Sequence, residues 1–240
     1  MDFTNKHAIV TGGAGGIGKY IVEYFLKAGA QVSVIDINQI TTKQVHFFQG
    51  DIAHRKTLEK FADTLDGKVD FLINNACTSR KGLLSACTWD DFEYVQRVGV
   101  TAPYYLTQLL LSHGLLAQDA SIVNIASTRG FQSQPDTESY SAVKGGILAL
   151  THSMSVSLSG RARVNAISPG WIDTVGATHS TEDGTQHPAG RVGKPEDIAE
   201  MVMFLCDNTR AGFITGENIF IDGGMNKQMI YHGDHGWRKF

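Results

Sequence analysis

Short runs of apolar, mostly β-branched residues alternate along the chain with stretches in which apolar residues recur every three to four positions. Six of the runs predict strands buried on both faces, and Val45–Gln49 is a weaker seventh candidate. The six are Ala8–Val10, Val32–Ile37, Val69–Ile73, Ser121–Ile125, Val164–Ile167 and Asn218–Ile221. The predicted helices are Gly18–Ala28, Lys56–Leu65, Trp89–Leu111, Ser139–Leu158 and Pro195–Cys206. This alternation predicts an α/β fold, a single doubly wound parallel sheet of the Rossmann type with helices on both faces.

Three segments lie outside this pattern. Asn38–Gln44 is too short for a helical crossover, so we expect a loop or one turn there. Residues 174–190 lack apolar periodicity and predict a surface loop, placed where such folds keep substrate lids. Residues 225–240 form an aromatic-rich C-terminal tail, and exposed aromatic tails tend to dock on another surface. Because no repeat or linker interrupts the chain, we expect residues 1–240 to form one domain.

Composition narrows the functional class. The net charge is −3 and no block of like charges occurs, which argues against nucleic acid or a membrane surface as partner. The three cysteines, Cys77, Cys87 and Cys206, are an odd number without paired spacing, which fits a reducing compartment and gives no zinc pattern. The first strand is too short for a secretory signal, and no long apolar run occurs. We therefore expect a cytoplasmic protein without a metal.

A glycine-rich loop joins the first predicted strand to the first helix. Gly12, Gly16 and Gly18 permit a tight turn and let a pyrophosphate approach the backbone at a helix N-terminus, although such a loop alone can be a simple turn. The second strand reaches Asp36, whose carboxylate can accept hydrogen bonds from an adenine ribose. That carboxylate would repel a 2′-phosphate, and no Arg or Lys inside the loop or directly after Asp36 offsets the repulsion. The sequence therefore predicts NAD as the cofactor in preference to NADP.

Further motifs make the chain resemble the short-chain dehydrogenase/reductase family along essentially its whole length. The glycine spacing is that family's, and the other matching motifs follow in the family's order. They are Asp51-Ile52, Asn74-Asn75-Ala76-Cys77, Ser127, Tyr140 with Lys144, Pro169-Gly170 with Thr174, and Asp222-Gly223-Gly224. Cys77 stands where the family has glycine. One such motif would be weak, but six in the correct order are very specific.

The resemblance implies roles for these residues. It implies that Ser127, Tyr140 and Lys144 are catalytic, and that the chain forms a homotetramer or homodimer in which such a tail often lies at a subunit interface. The implied cofactor-binding residues are Gly12, Gly16, Ile17, Gly18, Asp36, Asp51, Ile52, Asn75, Ala76, Tyr140, Lys144, Pro169, Gly170, Ile172 and Thr174.

These residue types suit hydride transfer between an alcohol and a ketone or aldehyde. Negative charge builds on a carbonyl oxygen as hydride arrives, so a proton must be delivered there. Tyr140 and Lys144 are four apart on a predicted helix and therefore project from one face. A nearby ammonium favours the phenolate form of a phenol, which makes proton exchange easier in both directions. Ser127 ends a strand and can hydrogen-bond the substrate oxygen. In isolation Tyr140 would be read as an ordinary helix tyrosine, but the cofactor motif and Ser127 favour catalysis.

Gly99 departs from the family pattern, which has an asparagine there whose backbone carbonyl holds a water linking the lysine to solvent. Glycine keeps the carbonyl but costs about 1 kcal/mol in a helix interior, so helix propensity does not explain it. Either a locally bent helix keeps the relay, which we favour, or the relay is impaired. In the first case we expect Gly99→Asn to leave turnover within a few-fold. The second case suggests an alternative function, an NAD-binding sensor or scaffold with little turnover, against which the intact Ser127, Tyr140 and Lys144 argue.

The substrate end is less defined. Arg80, Lys81 and Arg129 follow strands that end at the cofactor crevice and could hold a carboxylate or phosphate, but we favour solvated loop charges. Candidate pocket walls are Phe131, Gln132, Gln134, Trp171 and residues 174–190. Sugar or polyol, hydroxysteroid and 3-oxoacyl substrates all stay open. Asp36 weakens the last of these, because biosynthetic reduction usually draws on NADPH.

Histidines near the substrate end carry a weaker signal. His179 and His187 lie in the 174–190 loop and could contact substrate, but loop histidines are usually exposed and we expect that here. The tail residues of interest are Tyr231, His232, His235, Trp237 and Phe240. Two tail histidines three positions apart without further ligands do not predict a metal site.

Overall fold

The computed structural model describes residues 1–229, which contain one sheet of seven parallel strands. The strand order is β3-β2-β1-β4-β5-β6-β7. The strands are β1 His7–Thr11, β2 Gln31–Asp36, β3 His46–Gln49, β4 Val69–Asn74, β5 Leu116–Ile125, β6 Ala162–Pro169 and β7 Asn218–Ile221. The order reverses between β1 and β4, the kind of switch point at which open α/β sheets bind ligands. The predicted doubly wound sheet is confirmed, and the weak Val45–Gln49 run forms the edge strand β3.

Helices cover both faces of the sheet. They are α1 Gly16–Lys27, α2 Arg55–Asp63, α3 Trp89–Gln96, α4 Ala102–Ser112, α5 Glu138–Ser157, α6 Thr181–Thr185, α7 Pro195–Cys206 and α8 Asn208–Ala211. α7 has the bounds that the sequence predicts, because a proline and two acidic residues occupy its first turn. Short 3₁₀ turns occur at Leu83–Ser85, Thr128–Gly130 and Met225–Lys227.

Two hydrophobic cores result from the alternation of side chains along the strands. On one face, Phe25 of α1 and Val202 of α7 pack in the same core as Val10 of β1. On the other face, Leu106 of α4 packs with Ile9, the neighbour of Val10. α2 and α5 complete this second layer. Because every strand pair is parallel, the carboxyl ends of the strands meet at one edge of the sheet.

The predicted helix Trp89–Leu111 is wrong as a single helix. It is divided into α3 and α4 by a π-helical turn at Arg97–Thr101, where the Ala102 N–H donates to the Arg97 carbonyl five residues earlier. Pro103 contributes to this break, because proline has no N–H to donate to the Gly99 carbonyl four residues earlier. A continuous α-helix therefore cannot form here without an unpaired carbonyl.

Two loop predictions have different outcomes. Asn38–Gln44 contains no helix, as predicted. The 174–190 segment lies mostly at the surface, as predicted, but it contains the short helix α6, whose first turn has a capping box formed by Ser180 and Asp183. Such capping stabilises a helix too short for apolar periodicity to reveal.

The tail residues Tyr231, His232, His235, Trp237 and Phe240 lie outside the described residues, so their predicted docking stays a prediction. Within residues 1–229, no helix is both long and apolar enough to cross a membrane.

Candidate active site

A cleft of about 650 Å³ opens at the carboxyl ends of the central strands. All the predicted catalytic and cofactor-binding residues except Gly18 line it. Those lining it are Gly12, Gly16, Ile17, Asp36, Asp51, Ile52, Asn75, Ala76, Ser127, Tyr140, Lys144, Pro169, Gly170, Ile172 and Thr174. Residues from distant parts of the sequence thus share one site at the switch point of the sheet.

The glycine loop is held tightly against the start of the β4 loop. Gly12 has a φ of +68°, and a Cβ there would lie 2.8 Å from the Cα of Ala76. Gly18 does not line the cleft, but a Cβ there would come well within 3.0 Å of the Gly12 carbonyl oxygen. Asn75 Nδ2 donates to the carbonyls of Thr11 (3.0 Å) and Gly12 (2.9 Å). Only glycine at positions 12 and 18 therefore permits this packing.

The N-terminus of α1 is open toward the cleft, which fits the pyrophosphate of a dinucleotide. Gly15 caps α1 and lines the cleft, and a Cβ there would meet nothing within 4 Å. Backbone N–H groups at a helix N-terminus attract anions, because they are unpaired within the helix and lie at the positive end of its dipole. The residues present therefore fit a nicotinamide dinucleotide.

Asp36 is fixed at the end of β2. Its carboxylate accepts hydrogen bonds from the N–H of Ala14 (2.9 Å) and the N–H of Asn38 (2.8 Å). These bonds join the glycine loop to the loop after β2 and hold the negative charge in the cleft wall. Among the described residues, Arg80 and Lys144 are the only arginines or lysines that line the cleft.

Asp51 is held at the same side of the cleft. Its Oδ1 accepts the N–H of Ala53 (2.8 Å), and its Oδ2 accepts the hydroxyl of Tyr94 (3.0 Å). Burial, together with the Asp51 carboxylate, raises the pKa of Tyr94, so the hydroxyl stays protonated as a donor. Tyr94 belongs to no motif; α-helical periodicity alone places it on α3 without indicating that it faces the cleft.

The three predicted cationic residues at the loop ends have different surroundings. Arg80 is exposed, as expected, but it also lines the cleft, and its guanidinium lies over the Tyr94 ring, 5.2 Å from the ring centroid. Lys81 is exposed as expected. Arg129 is half-buried and its side chain hydrogen-bonds Gln134.

The candidate catalytic residues come from β5 and α5. Ser127 follows β5, and its Oγ accepts the N–H of Arg129 (3.1 Å). Tyr140 and Lys144 lie one turn apart on α5, with the lysine Nζ 5.4 Å from the centre of the tyrosine ring. Lys144 is buried and donates to the Ile125 carbonyl (2.6 Å). A fixed ammonium beside a phenol, with a serine hydroxyl in the same cleft, is suited to proton transfer.

A buried amide chain supports this arrangement. Asn74 Nδ2 donates to Asn124 Oδ1 (2.8 Å), and Asn124 Nδ2 donates to Thr151 Oγ1 (2.9 Å). The bonds link β4, β5 and α5, so they fix the catalytic helix relative to the sheet. Asn74 belongs to a sequence motif, whereas Asn124 and Thr151 carry no sequence signal, because each is an ordinary polar residue within a predicted strand or helix.

Gly99 is buried in the π-helical turn, consistent with the local distortion that we favour from the sequence. A Cβ at this position would come well within 3.0 Å of Val143 Cγ2. Val143 precedes Lys144 on α5. Any side chain at position 99 must therefore displace Val143, which argues against the expectation that Gly99→Asn leaves turnover within a few-fold.

Most of the predicted pocket walls do not line this cleft. Phe131, Gln132, Gln134 and Trp171 do not line it, and Thr174 is its one lining residue from the 174–190 segment, as far as the described residues show. Phe131 instead packs on a neighbouring aromatic ring and is largely exposed.

The histidines of this segment pack around Trp171. His179 Nε2 lies 3.0 Å from Asp173 Oδ2, and its ring meets Trp171 edge-on with centroids 5.3 Å apart. The exposed position that we expected for His187 is wrong. His187 is buried near Trp171, and Gly223 packs closely against it. A Cβ built on Gly223 would lie 3.2 Å from the His187 Cβ.

Known proteins resemble this chain over most of its length. A family model described as Enoyl-(Acyl carrier protein) reductase matches residues 12–226. An uncharacterised oxidoreductase of Thermotoga maritima is 41% identical, covering 94% of this chain and 98% of its own length. The structure of an apo SCOR enzyme from Clostridium thermocellum is 44% identical with a TM-score of 0.90, covering 99% of both chains. The structure of 4-hydroxyisoleucine dehydrogenase complexed with NADH is 28% identical with a TM-score of 0.83, covering 94% of this chain and 100% of its own.

The fold, the cleft and these relatives define an oxidoreductase of the short-chain type. The chain belongs to the short-chain dehydrogenase/reductase family, as the family match over most of its length shows.

Proposed function

We propose that this protein is an NAD-dependent oxidoreductase that interconverts an alcohol and a ketone or aldehyde, with Tyr140 as the general acid and base. The observation that carries the proposal is the meeting of Ser127, Tyr140 and a buried Lys144 in one cleft beside the glycine loop. The complete set of proton-handling residues favours turnover over a sensor or scaffold role.

In the reducing direction, the bound nicotinamide would supply a hydride to the carbonyl carbon. The Tyr140 hydroxyl gives its proton to the carbonyl oxygen as negative charge develops there. Ser127 donates a hydrogen bond to the same oxygen. Its own lone pair already accepts the Arg129 N–H, which leaves the hydroxyl hydrogen for the substrate. Lys144 stabilises the phenolate left on Tyr140, and alcohol oxidation runs through the same groups in reverse.

The preference for NAD rests on Asp36. Its carboxylate is fixed in the cleft wall by two backbone N–H groups and would face the adenine ribose. A 2′-phosphate there would meet a negative charge that cannot turn away. The NADH complex of the 4-hydroxyisoleucine dehydrogenase relative agrees with this choice.

The test is a panel of alcohols and ketones, followed by the absorbance of the reduced nicotinamide with NAD(H) and NADP(H). Once a substrate is found, Tyr140→Phe should lower turnover by at least about a hundredfold, because it removes the proton donor. NAD affinity should change little. Tyr104→Phe is the matched control, since Tyr104 is an exposed tyrosine that does not line the cleft. Near-native turnover in Tyr140→Phe would refute the mechanism.

We further propose that residues 1–240 form a single domain, that the protein is cytoplasmic, and that it assembles as a homotetramer or homodimer. Its cysteines Cys77, Cys87 and Cys206 are all free thiols, which favours a reducing compartment. The outer face of α5 carries uncharged residues, among them Ala149 and Val156. A second copy packing there would bury them, so Val156→Arg should yield a smaller species in light scattering. An unchanged mass, or a monomeric parent protein, would contradict this assembly.

A further inference from the structure

Arg80 occupies a place in the cleft that no motif accounts for. Its backbone carbonyl accepts a hydrogen bond from Ser139 Oγ (3.0 Å), and Ser139 directly precedes Tyr140. Its guanidinium lies over the ring of Tyr94, whose hydroxyl donates to Asp51. The residue therefore extends from the catalytic end of the cleft toward the carboxylate of Asp51.

The guanidinium is positioned while its hydrogen-bonding groups stay available. An aromatic ring supports it from one face, and Asp91 Oδ1 lies 3.8 Å from Nε, beyond hydrogen-bond distance. Within residues 1–229, no acceptor takes a hydrogen bond from its side chain. Five N–H donors in a fixed fork are thus presented at the cleft by a side chain that is 48% exposed.

Topology places the loop that carries Arg80 beside the glycine loop. β1 and β4 are hydrogen-bonded neighbours, so the loops that follow them lie on either side of the switch point. The first loop contains Gly12, the second contains Ala76 and Arg80, and the two loops touch where Gly12 meets Ala76. A pyrophosphate on the N-terminus of α1 would therefore lie within the same crevice as Arg80.

The charges along the cleft leave the pyrophosphate of a dinucleotide in need of a cation. Asp36 and Asp51 make one end of the cleft acidic, and the Lys144 ammonium is held at the catalytic end by the Ile125 carbonyl. A dinucleotide brings two more negative charges on its pyrophosphate. Arg80 is the other cation that lines the described cleft, and guanidinium groups pair with phosphate through two parallel hydrogen bonds.

We propose that Arg80 clamps the pyrophosphate of the bound dinucleotide from the β4 side of the cleft, with Tyr94 as its positioning residue. The proposal rests on the proposed function only in that a dinucleotide binds this cleft. The expected ligand chemistry is a diphosphate joining two ribose units.

The test separates the phosphate from the rest of the cofactor. Adenosine, ADP-ribose and NADH are titrated against the wild-type protein and Arg80→Met, with NADH fluorescence as the direct signal and as the competition probe. Arg80→Met should weaken ADP-ribose and NADH by about tenfold and leave adenosine unchanged. Lys81→Met is the matched control, because it removes the same charge from the neighbouring exposed residue and should change none of the three.

Two further variants test the positioning role. Tyr94→Leu removes the ring under the guanidinium and should weaken ADP-ribose, whereas Tyr94→Phe keeps the ring and should retain most of the affinity. Arg80→Lys should recover only part of the loss, since an ammonium lacks the planar fork. Added salt should weaken ADP-ribose binding more in the wild type than in Arg80→Met.

Each other outcome counts against the clamp. Equal losses for adenosine and ADP-ribose would mean that the cleft is disturbed as a whole. Unchanged ADP-ribose and NADH binding with a raised KM for substrate would assign Arg80 to an anionic substrate instead. If the wild-type protein and Arg80→Met bind NADH with equal affinity, this inference alone is overturned. A wild-type protein that binds no dinucleotide overturns it together with the proposed function.

Discussion

A side chain added at Gly99 would collide with Val143 Cγ2. The new Cβ would lie well within 3.0 Å of that atom, closer than Cβ contacts in real proteins. Both residues are buried, so neither can move into solvent. Overpacking of this kind costs about 1–3 kcal/mol. We therefore expect Gly99→Ala and Gly99→Asn to lower the free energy of unfolding by that amount. Because Val143 precedes Lys144, the same shift should lower turnover by about tenfold or more.

The assays are urea unfolding and steady-state turnover on a double-mutant cycle. Adding Val143→Ala removes the methyl that collides, so Gly99→Asn should become much less harmful in that background, with a coupling energy of about 1 kcal/mol or more. Gly145→Ala is the control, because its Cβ would meet only a carbonyl oxygen at 3.9 Å. If Gly99→Asn is as stable and as active as the parent protein, or if the two changes are additive, the steric argument is refuted.

The remaining predictions concern cofactor choice, the lysine and a buried histidine. NAD(H) should bind at least about tenfold tighter than NADP(H), roughly 1.4 kcal/mol, and Asp36→Ala should narrow that gap; equal affinities of the parent protein in calorimetric titration would contradict this. Lys144→Ala should lower both turnover and NADH affinity, unlike Tyr140→Phe, and unchanged NADH fluorescence titration would count against a dual role. Burial lowers the pKa of His7, whose Nε2 lies 2.8 Å from Ser33 Oγ, so the unfolded chain takes up a proton that the folded protein resists. The contribution of His7 to the free energy of unfolding should therefore be complete above about pH 6.5 and decrease below it, by at most about 1.4 kcal/mol per pH unit. His7→Asn should flatten that pH dependence in urea unfolding.

The fold could be predicted from the sequence because its signals are local. Apolar runs such as Val69–Ile73 are buried on both faces and therefore lack polar alternation, which separates them from the helices between them. The glycine loop and the Tyr140–Lys144 spacing are equally local, and the structure brings both to one cleft. A strand exposed at the edge carries a weaker pattern, which is why β3 was the least certain of the seven.

Contacts between distant elements were not visible in the sequence. Asn124 and Thr151 are 27 positions apart and meet only because β5 and α5 pack together. Arg80 looked like an ordinary loop charge, since its position over Tyr94 depends on where α3 lies relative to the loop after β4. His187 looked exposed because nothing in its neighbourhood reveals that Gly223 covers it.

Gly99 shows how such a contact changes the meaning of a single residue. Seen along the sequence, it is a lost asparagine that weakens a helix. In the fold, it is the residue that makes room for Val143, while Pro103 withholds the N–H that would close the turn. In the π-helical turn, the Ala102 N–H donates instead to the Arg97 carbonyl. The glycine therefore belongs to the packing of the π-helical turn against the catalytic helix α5, and we expect an asparagine to be tolerated there once position 143 carries a smaller residue.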